Sequence, residues 1–356
     1  MGAIRVAVDA RTLQGAPLGG VARSTLGHLR AVRDVVDLTL LTDARQPPVD
    51  DTLALDLPEV ALRAPSRRGV LWLQLAAPRW LRSFEGGFHC PFYGLPFRQP
   101  VPMTATIHDI TFEQHPSWFT REQRTVFRMQ ARHAARTARH LLTPSAFTRD
   151  EVCERYGLPG DRVSVAPNLL DASWLQPPPP RPPWLAERGV TGRYVLAMGG
   201  AWRRGVDLLT GAWPTVRAAA PDVGLVVVGE PGLTMPDGAV AVTGIADDMW
   251  RALLAGAEVL CYPTRHEGFG YPALEACAAG TAVLCGRVGA LPEVLGDAAE
   301  WLPALTVESV TEALLALLAD DARRAELGAR GRARAAIDHQ PEVATAVRRA
   351  FEAAAG

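Results

Sequence analysis

Two glutamates, Glu267 and Glu275, stand eight residues apart in the segment AEVLCYPTRHEGFGYPALEACAAG, with two glycines and a proline between them. The apolar run before Pro263 reads as a buried strand, so Glu267 falls at the strand's carboxyl edge. Gly268 and Gly270 flank Phe269 and leave backbone N–H groups uncovered, and Pro272 sits where the next helix should begin. Exposed amides at a helix N-terminus form an anion site suited to phosphate. Two carboxylates beside it would repel phosphate but suit hydroxyls such as those of ribose and hexose. The local chemistry therefore suggests a nucleotide sugar. A plainer reading stands beside it: two surface glutamates at this spacing are common, and glycines after a strand are usually turn formers.

The histidines offer less. His108 and Asp109 end the apolar stretch TATIH, at a strand carboxyl end where such sheets bind ligands. A satisfied structural hydrogen bond would place the same pair there. His89 also follows a strand position, and a core or loop histidine is the commoner reading. His133 and His140 read as surface or packing residues. No His/Asp/Glu cluster has metal-ligand spacing, so no metal is expected.

The elements that must position these residues alternate. IRVAVDA is a short strand, QGAPLGG a glycine loop, and a helix follows near Val21–Leu29. Further strands are expected at Val35–Thr42, Met103–Ile107, His140–Thr143 and Arg162–Ala166. Helices are expected near Val70–Arg82, Thr120–Arg139 and Ala146–Tyr156. After LQPPPPRPPW, whose prolines favour a stiff spacer, the alternation restarts with RYVLAMGG, VGLVVVGE, AVAVTG, AEVLCYPT and TAVLCG as strands. The expected division is 1–174, a linker at 175–184, a second domain at 185–338 and a terminal helix at 339–356 free to pack back on the first. Two Rossmann-like α/β domains, their parallel sheets facing each other across a cleft, follow from this pattern.

Composition narrows the classes. The 356 residues suit two domains at roughly 150 residues each. A net charge of −1 excludes a global polycation for nucleic acid. All 37 basic residues are arginine, which removes lysine Schiff bases and the Walker A lysine, and with the abundant Ala and Pro points to a GC-rich bacterial genome. Five cysteines (Cys90, Cys153, Cys261, Cys277 and Cys285) include no C-x-x-C pair, which fits free thiols in a reducing cytoplasm. The start MGAIRVAVDA has no signal-peptide pattern and no apolar run approaches 18 residues, so export and membrane spanning are not expected.

The string EGFGYPALEACAAGTAVLCGRVGALPEVLGDAA resembles the signature of glycosyltransferase family 4, retaining nucleotide-sugar transferases of the GT-B fold. It departs mainly at Tyr271, Cys277 and Ala282, none of them a charged position. VDARTLQGAPLGGVARSTLGHL, FHCPFYGLPF, TIHDITFEQHPSWF, LTPSAFTRDEVCERYGLPGDRVSVAPN and VLAMGGAWRRGVDLL are similar to further family motifs in the same order. The resemblance implies that Glu275 binds the ribose of the donor. It implies that Glu267 and the amides of Gly268, Phe269 and Gly270 hold the transferred sugar and its phosphate. Arg203 and Arg204 occupy the family's Arg-Lys pair, which neutralises the departing pyrophosphate. Arginine at 204 grips phosphate bidentately where lysine is a point charge. Gly19 and Gly20 would approach the diphosphate with Arg23 behind them, and His108 and Asp109 match the family's His near the sugar.

The resemblance thus implies a cytoplasmic enzyme, without metal or other cofactor, moving a hexose from a nucleoside-diphosphate sugar to an acceptor hydroxyl with retained configuration. No protein nucleophile is implied, since the departing phosphate is usually held to assist. The subgroup favours GDP-mannose; the acceptor could be a glycan, a lipid-linked sugar or a small natural product. A sugar phosphorylase of the same fold, or a non-catalytic nucleotide-sugar-binding partner, are the alternatives. Arg121, Arg124, Arg128, Arg132, Arg136 and Arg139 form a stripe that suits a solvated helix face, anionic lipid, an anionic acceptor or nucleic acid. RRGVLWLQLAAPRWLR reads either as a core-packed helix or as one lying at a membrane surface.

Overall fold

The first strand, β1 (Arg5–Asp9), is apolar and buried on both faces after Arg5, which is what a strand in the middle of a covered parallel sheet requires. It pairs on one side with β2 (Asp37–Asp43) and on the other with β4 (Gly87–Cys90), so Val6 lies between Leu38 and Gly87. With β3 (Glu59–Leu62), β5 (Met103–Thr106), β6 (His140–Thr143) and β7 (Val163–Val165) the sheet has the order β3-β2-β1-β4-β5-β6-β7, parallel throughout. The structure, a computed structural model, describes residues 4–14, 19–46, 55–64, 69–200, 202–229 and 235–355. Residues 15–18 of the expected glycine loop, Ala201 and Glu230 lie outside them.

The second sheet repeats the plan. It comprises β8 (Tyr194–Met198), β9 (Gly224–Val228), β10 (Ala239–Val242), β11 (Val259–Tyr262), β12 (Ala282–Gly286) and β13 (Glu300–Leu302). Their order is β10-β9-β8-β11-β12-β13, again parallel. Both sheets thus contain the doubly wound arrangement in which strand order reverses beside the first strand, and ligands bind at the carboxyl ends of the strands flanking that point. The fold is α/β with two Rossmann-like halves.

The chain divides into one unit of Met1–Leu169 with Asp338–Gly356 and another of Leu170–Ile337. The first crossing therefore precedes the proline-rich segment placed as a linker at 175–184, which belongs to the second unit. Its prolines are held there by arginines. Arg181 lies over the Tyr194 ring and donates to the Val190 carbonyl at 2.8 Å, and Arg251 donates to the carbonyls of Gln176 and Pro177. The terminal helix Gln340–Ala355 packs in the first unit, where the Phe351 ring lies 5.1 Å from that of His89. Before it, the second unit ends in two helices, Val307–Ala319 and Asp321–Ala335.

The segment with the membrane-surface pattern is a core element. It runs as Gly69–Leu71, a π-helical stretch Trp72–Ala76, and Ala77–Leu81. Trp72 is fully buried and its indole donates to the Thr42 carbonyl at 3.2 Å, while Val70 and Leu75 are left exposed. Among the described residues no helix is long and apolar enough to cross a membrane. All five cysteines are free, and four of them are buried.

Candidate active site

In the Leu170–Ile337 unit the switch point lies between β8 and β11, and the loops leaving these two strands carry the expected charged residues. After β8 the chain turns through a short 3₁₀ segment, Trp202–Arg204. After β11 it runs through Glu267 to the helix Tyr271–Ala279, which bears Glu275. The loops interlock at Gly205, whose φ is +69° and where a Cβ would stand 1.9 Å from the Pro263 carbonyl oxygen. No other residue fits that position. The Arg203 carbonyl accepts from the Arg265 N–H at 2.7 Å and from the Thr264 hydroxyl at 3.1 Å, which fixes one loop against the other.

This interlock sets the charges. Arg203 lies 3.9 Å from Glu267 Oε1. Arg204 donates to the Gly199 carbonyl at 2.8 Å; its Nε is buried without a hydrogen-bond partner, and it has no carboxylate partner among the described residues. A guanidinium so placed is available to an anion. Glu267 also accepts from the Tyr262 hydroxyl at 2.5 Å, and burial first, then Glu267 itself, hold that phenol well above its ordinary pKa. Glu275 is 2% exposed and accepts from the Trp250 indole N–H at 2.6 Å.

The glycines differ from expectation. Gly268, Phe269 and Gly270 are buried, not uncovered, because the Phe269 ring packs edge-on against Tyr271 at 5.5 Å and Gly270 sits under Leu291. Gly270 has φ +96° and caps the helix, whose first turn contains Pro272.

Gly19, Gly20, His108 and Asp109 belong to the other unit. Gly19 caps the helix Gly20–Val32, and among the described residues a Cβ there would meet no heavy atom within 4 Å. His108 follows β5 at its carboxyl end, and its Nε2–H donates to the Pro91 carbonyl at 2.8 Å, which leaves Nδ1 as the acceptor. Burial depresses its pKa, against the pull of the Pro91 carbonyl and Asp109. Asp109 accepts from the Thr111 N–H at 3.0 Å.

His89 is a core residue. It is 3% exposed, lies between the hydroxyls of Thr104 and Thr106, and is held down to a pKa of about 3 by burial and then by His28 and His108. His133 bonds the Pro96 carbonyl beside Phe97, and His140 is buried against Ser164. The D-A-R opening is a structural lock: Arg11 forks onto Asp9, donates to the Gly69 carbonyl and lies over Trp72.

The arginine stripe is not uniformly solvated. Arg128 and Arg132 turn to Glu113, which also receives Arg155, and the Glu113 side chain is wholly buried. Burial alone would raise that carboxyl's pKa, but the hydrogen bonds from Arg155 and Arg132 outweigh it and hold it low. Arg136 and Arg139 line an open depression with Arg162.

Sequence reading missed several groups. Arg265 lies over the Trp202 ring at 3.7 Å and forks onto Asp207 at 2.8 and 2.7 Å. Glu151, bonded to Gln114, has a buried Oε2 without a partner; burial, with Asp109 and Glu154 adding to it against the Gln114 bond, pushes its pKa up to about 7. No local pattern marks either residue. Among the described residues no group of three or more His, Cys, Asp or Glu could hold a metal.

Residues 18–174 match the family profile described as Glycosyltransferase Family 4, and residues 192–320 match Glycosyl transferases group 1. The chain is 33% identical over 221 residues to an MMP α-(1→4)-mannosyltransferase of Mycolicibacterium hassiacum, covering 58% of this chain and 52% of that one. It is 28% identical over 273 residues to the O-antigen chain mannosyltransferase B of Escherichia coli, covering 70% and 69%. The chain thus spans about half the length of the first relative and about two thirds of the second. The sucrose-phosphate synthase structure from Thermosynechococcus elongatus superposes with a TM-score of 0.74 at 18% identity, covering 98% of each chain. The chain belongs to the family 4, group 1 glycosyltransferases and has their two-halved α/β fold.

Proposed function

We propose that the chain transfers a hexose, mannose from GDP-mannose, to an acceptor hydroxyl with retention of anomeric configuration. The observation that carries this reading is the placing of Arg203, Arg204, Glu267 and Glu275 by the loops and helix at one switch point. Arg203 and Arg204 take the charge that builds on the diphosphate as it leaves, Arg204 through a guanidinium already desolvated at Nε. Glu267 accepts from hydroxyls of the transferred sugar and Glu275 from those of the ribose. No covalent nucleophile is assigned, and the departing phosphate takes the acceptor's proton.

Two mannosyltransferases among the relatives support the choice of sugar. The acceptor is a growing glycan, a lipid-linked sugar or a small hydroxylated product. The test is a thermal-shift screen against GDP, UDP, ADP and TDP with their common sugars, followed by NMR of the product anomer. A shift with GDP and GDP-mannose and a retained α-anomer support the reading. A shift with another diphosphate replaces the donor, and an inverted product overturns the stereochemistry.

A further inference from the structure

Each carboxylate of the site is gripped by a buried aromatic donor. The Trp250 indole N–H reaches Glu275 Oε2 at 2.6 Å, and the Tyr262 hydroxyl reaches Glu267 Oε1 at 2.5 Å. Trp250 lies in the helix Asp247–Gly256 and is 4% exposed; Tyr262 ends β11 and is 1% exposed. An indole nitrogen donates only, so it occupies one acceptor site of the carboxylate and cannot itself accept from a ligand hydroxyl. A carboxylate offers about four acceptor sites, and one aromatic donor uses one of them while fixing its plane. The two grips come from different elements and act on different glutamates, so they are separable.

We infer that Trp250 and Tyr262 are positioning residues that divide the donor site's work. Trp250 aims Glu275 at the ribose hydroxyls of a nucleoside diphosphate, and Tyr262 aims Glu267 at the sugar being transferred. This rests on the roles given to Glu275 and Glu267 above.

Trp250→Phe and Tyr262→Phe keep the rings and remove the donors. Affinity is measured for GDP, UDP and ADP, each beside its 2′-deoxy counterpart, and steady-state transfer is measured with the matching sugar nucleotide. Wild type should prefer the ribose form about tenfold, and Trp250→Phe should lose most of that preference with turnover little changed. Tyr262→Phe should keep the preference and lower kcat about tenfold at near-constant KM. A packing role alone would instead lower affinity, kcat and Tm together in both variants, and that result overturns the inference. Loss of the ribose preference in Glu275→Ala but not in Trp250→Phe also overturns it while leaving Glu275 in place. Retention of the preference in Glu275→Ala removes the reading of Glu275 itself. Should Phe at 250 not fold, indole NMR of wild type decides: the Trp250 N–H should be strongly downfield and should shift on nucleotide binding, and an unmoved signal contradicts the assignment.

Discussion

The guanidinium of Arg265 lies 3.7 Å from the centroid of the Trp202 ring and donates to the Trp202 carbonyl at 2.8 Å. Trp202 opens the turn that contains Arg203 and Arg204, and Arg265 also forks onto Asp207 in the following helix. One side chain from the β11 loop therefore shapes the turn after β8.

Arg265→Ala should lower turnover about tenfold by loosening the Arg203–Arg204 turn. Stability should fall by only about 1–2 kcal/mol, because Asp207 is well exposed and the cation–π term is small. Parallel kcat and thermal unfolding measurements check this; unchanged kcat would remove Arg265 from the site's support.

Arg204→Ala should reduce kcat by about a hundredfold through lost stabilisation of the leaving diphosphate. Arg204→Lys should restore part of it, since the charge returns without the bidentate grip. Steady-state kinetics on both variants are the check, and near-normal turnover of the alanine variant would sink the role.

Buried histidines, His28 and His89 among them, make stability depend on pH. Burial first, then His108, holds His28 at about 4, and His89 is held at about 3. Both folded values lie below the unfolded one, so their contribution is complete above pH 6.5 and is lost as pH falls toward 4. Between pH 6.5 and 5 each should remove about 2 kcal/mol. Denaturant melts of wild type and His89→Gln across this range test the sign, and a flat profile for wild type contradicts it.

Glu151 has the opposite sign. Its folded pKa of about 7 lies above the unfolded value of 4.5, so a cost is absent below pH 4.5 and complete above pH 7. Glu151→Gln should raise stability by about 2 kcal/mol at pH 8 and leave it unchanged at pH 4.5. Equal effects at the two pH values would show that Glu151 is not the titrating group.

Much of this was legible because regular alternation leaves strong traces. Runs such as YVLAM and GLVVV are apolar enough to mark buried parallel strands, and Glu267 and Glu275 stand in an ordered motif. Three strands escaped notice for physical reasons. Glu59–Leu62 is a half-exposed edge of mixed residues, Gly87–Cys90 opens on a glycine, and Glu300–Leu302 is only three residues long. The 175–184 segment reads as a linker because proline content reports stiffness, whereas Arg251, which binds it to the second unit, is distant in sequence. Trp250, Tyr262 and Arg265 act through contacts that only folding creates.

The most direct test is calorimetric titration of the whole chain with GDP, beside Glu275→Ala and Arg204→Ala. The account predicts saturable binding to wild type at one site per chain, and about a tenfold loss in each variant. No binding of GDP, UDP, ADP or TDP, or an affinity untouched by either substitution, would contradict a nucleotide-sugar site at this switch point.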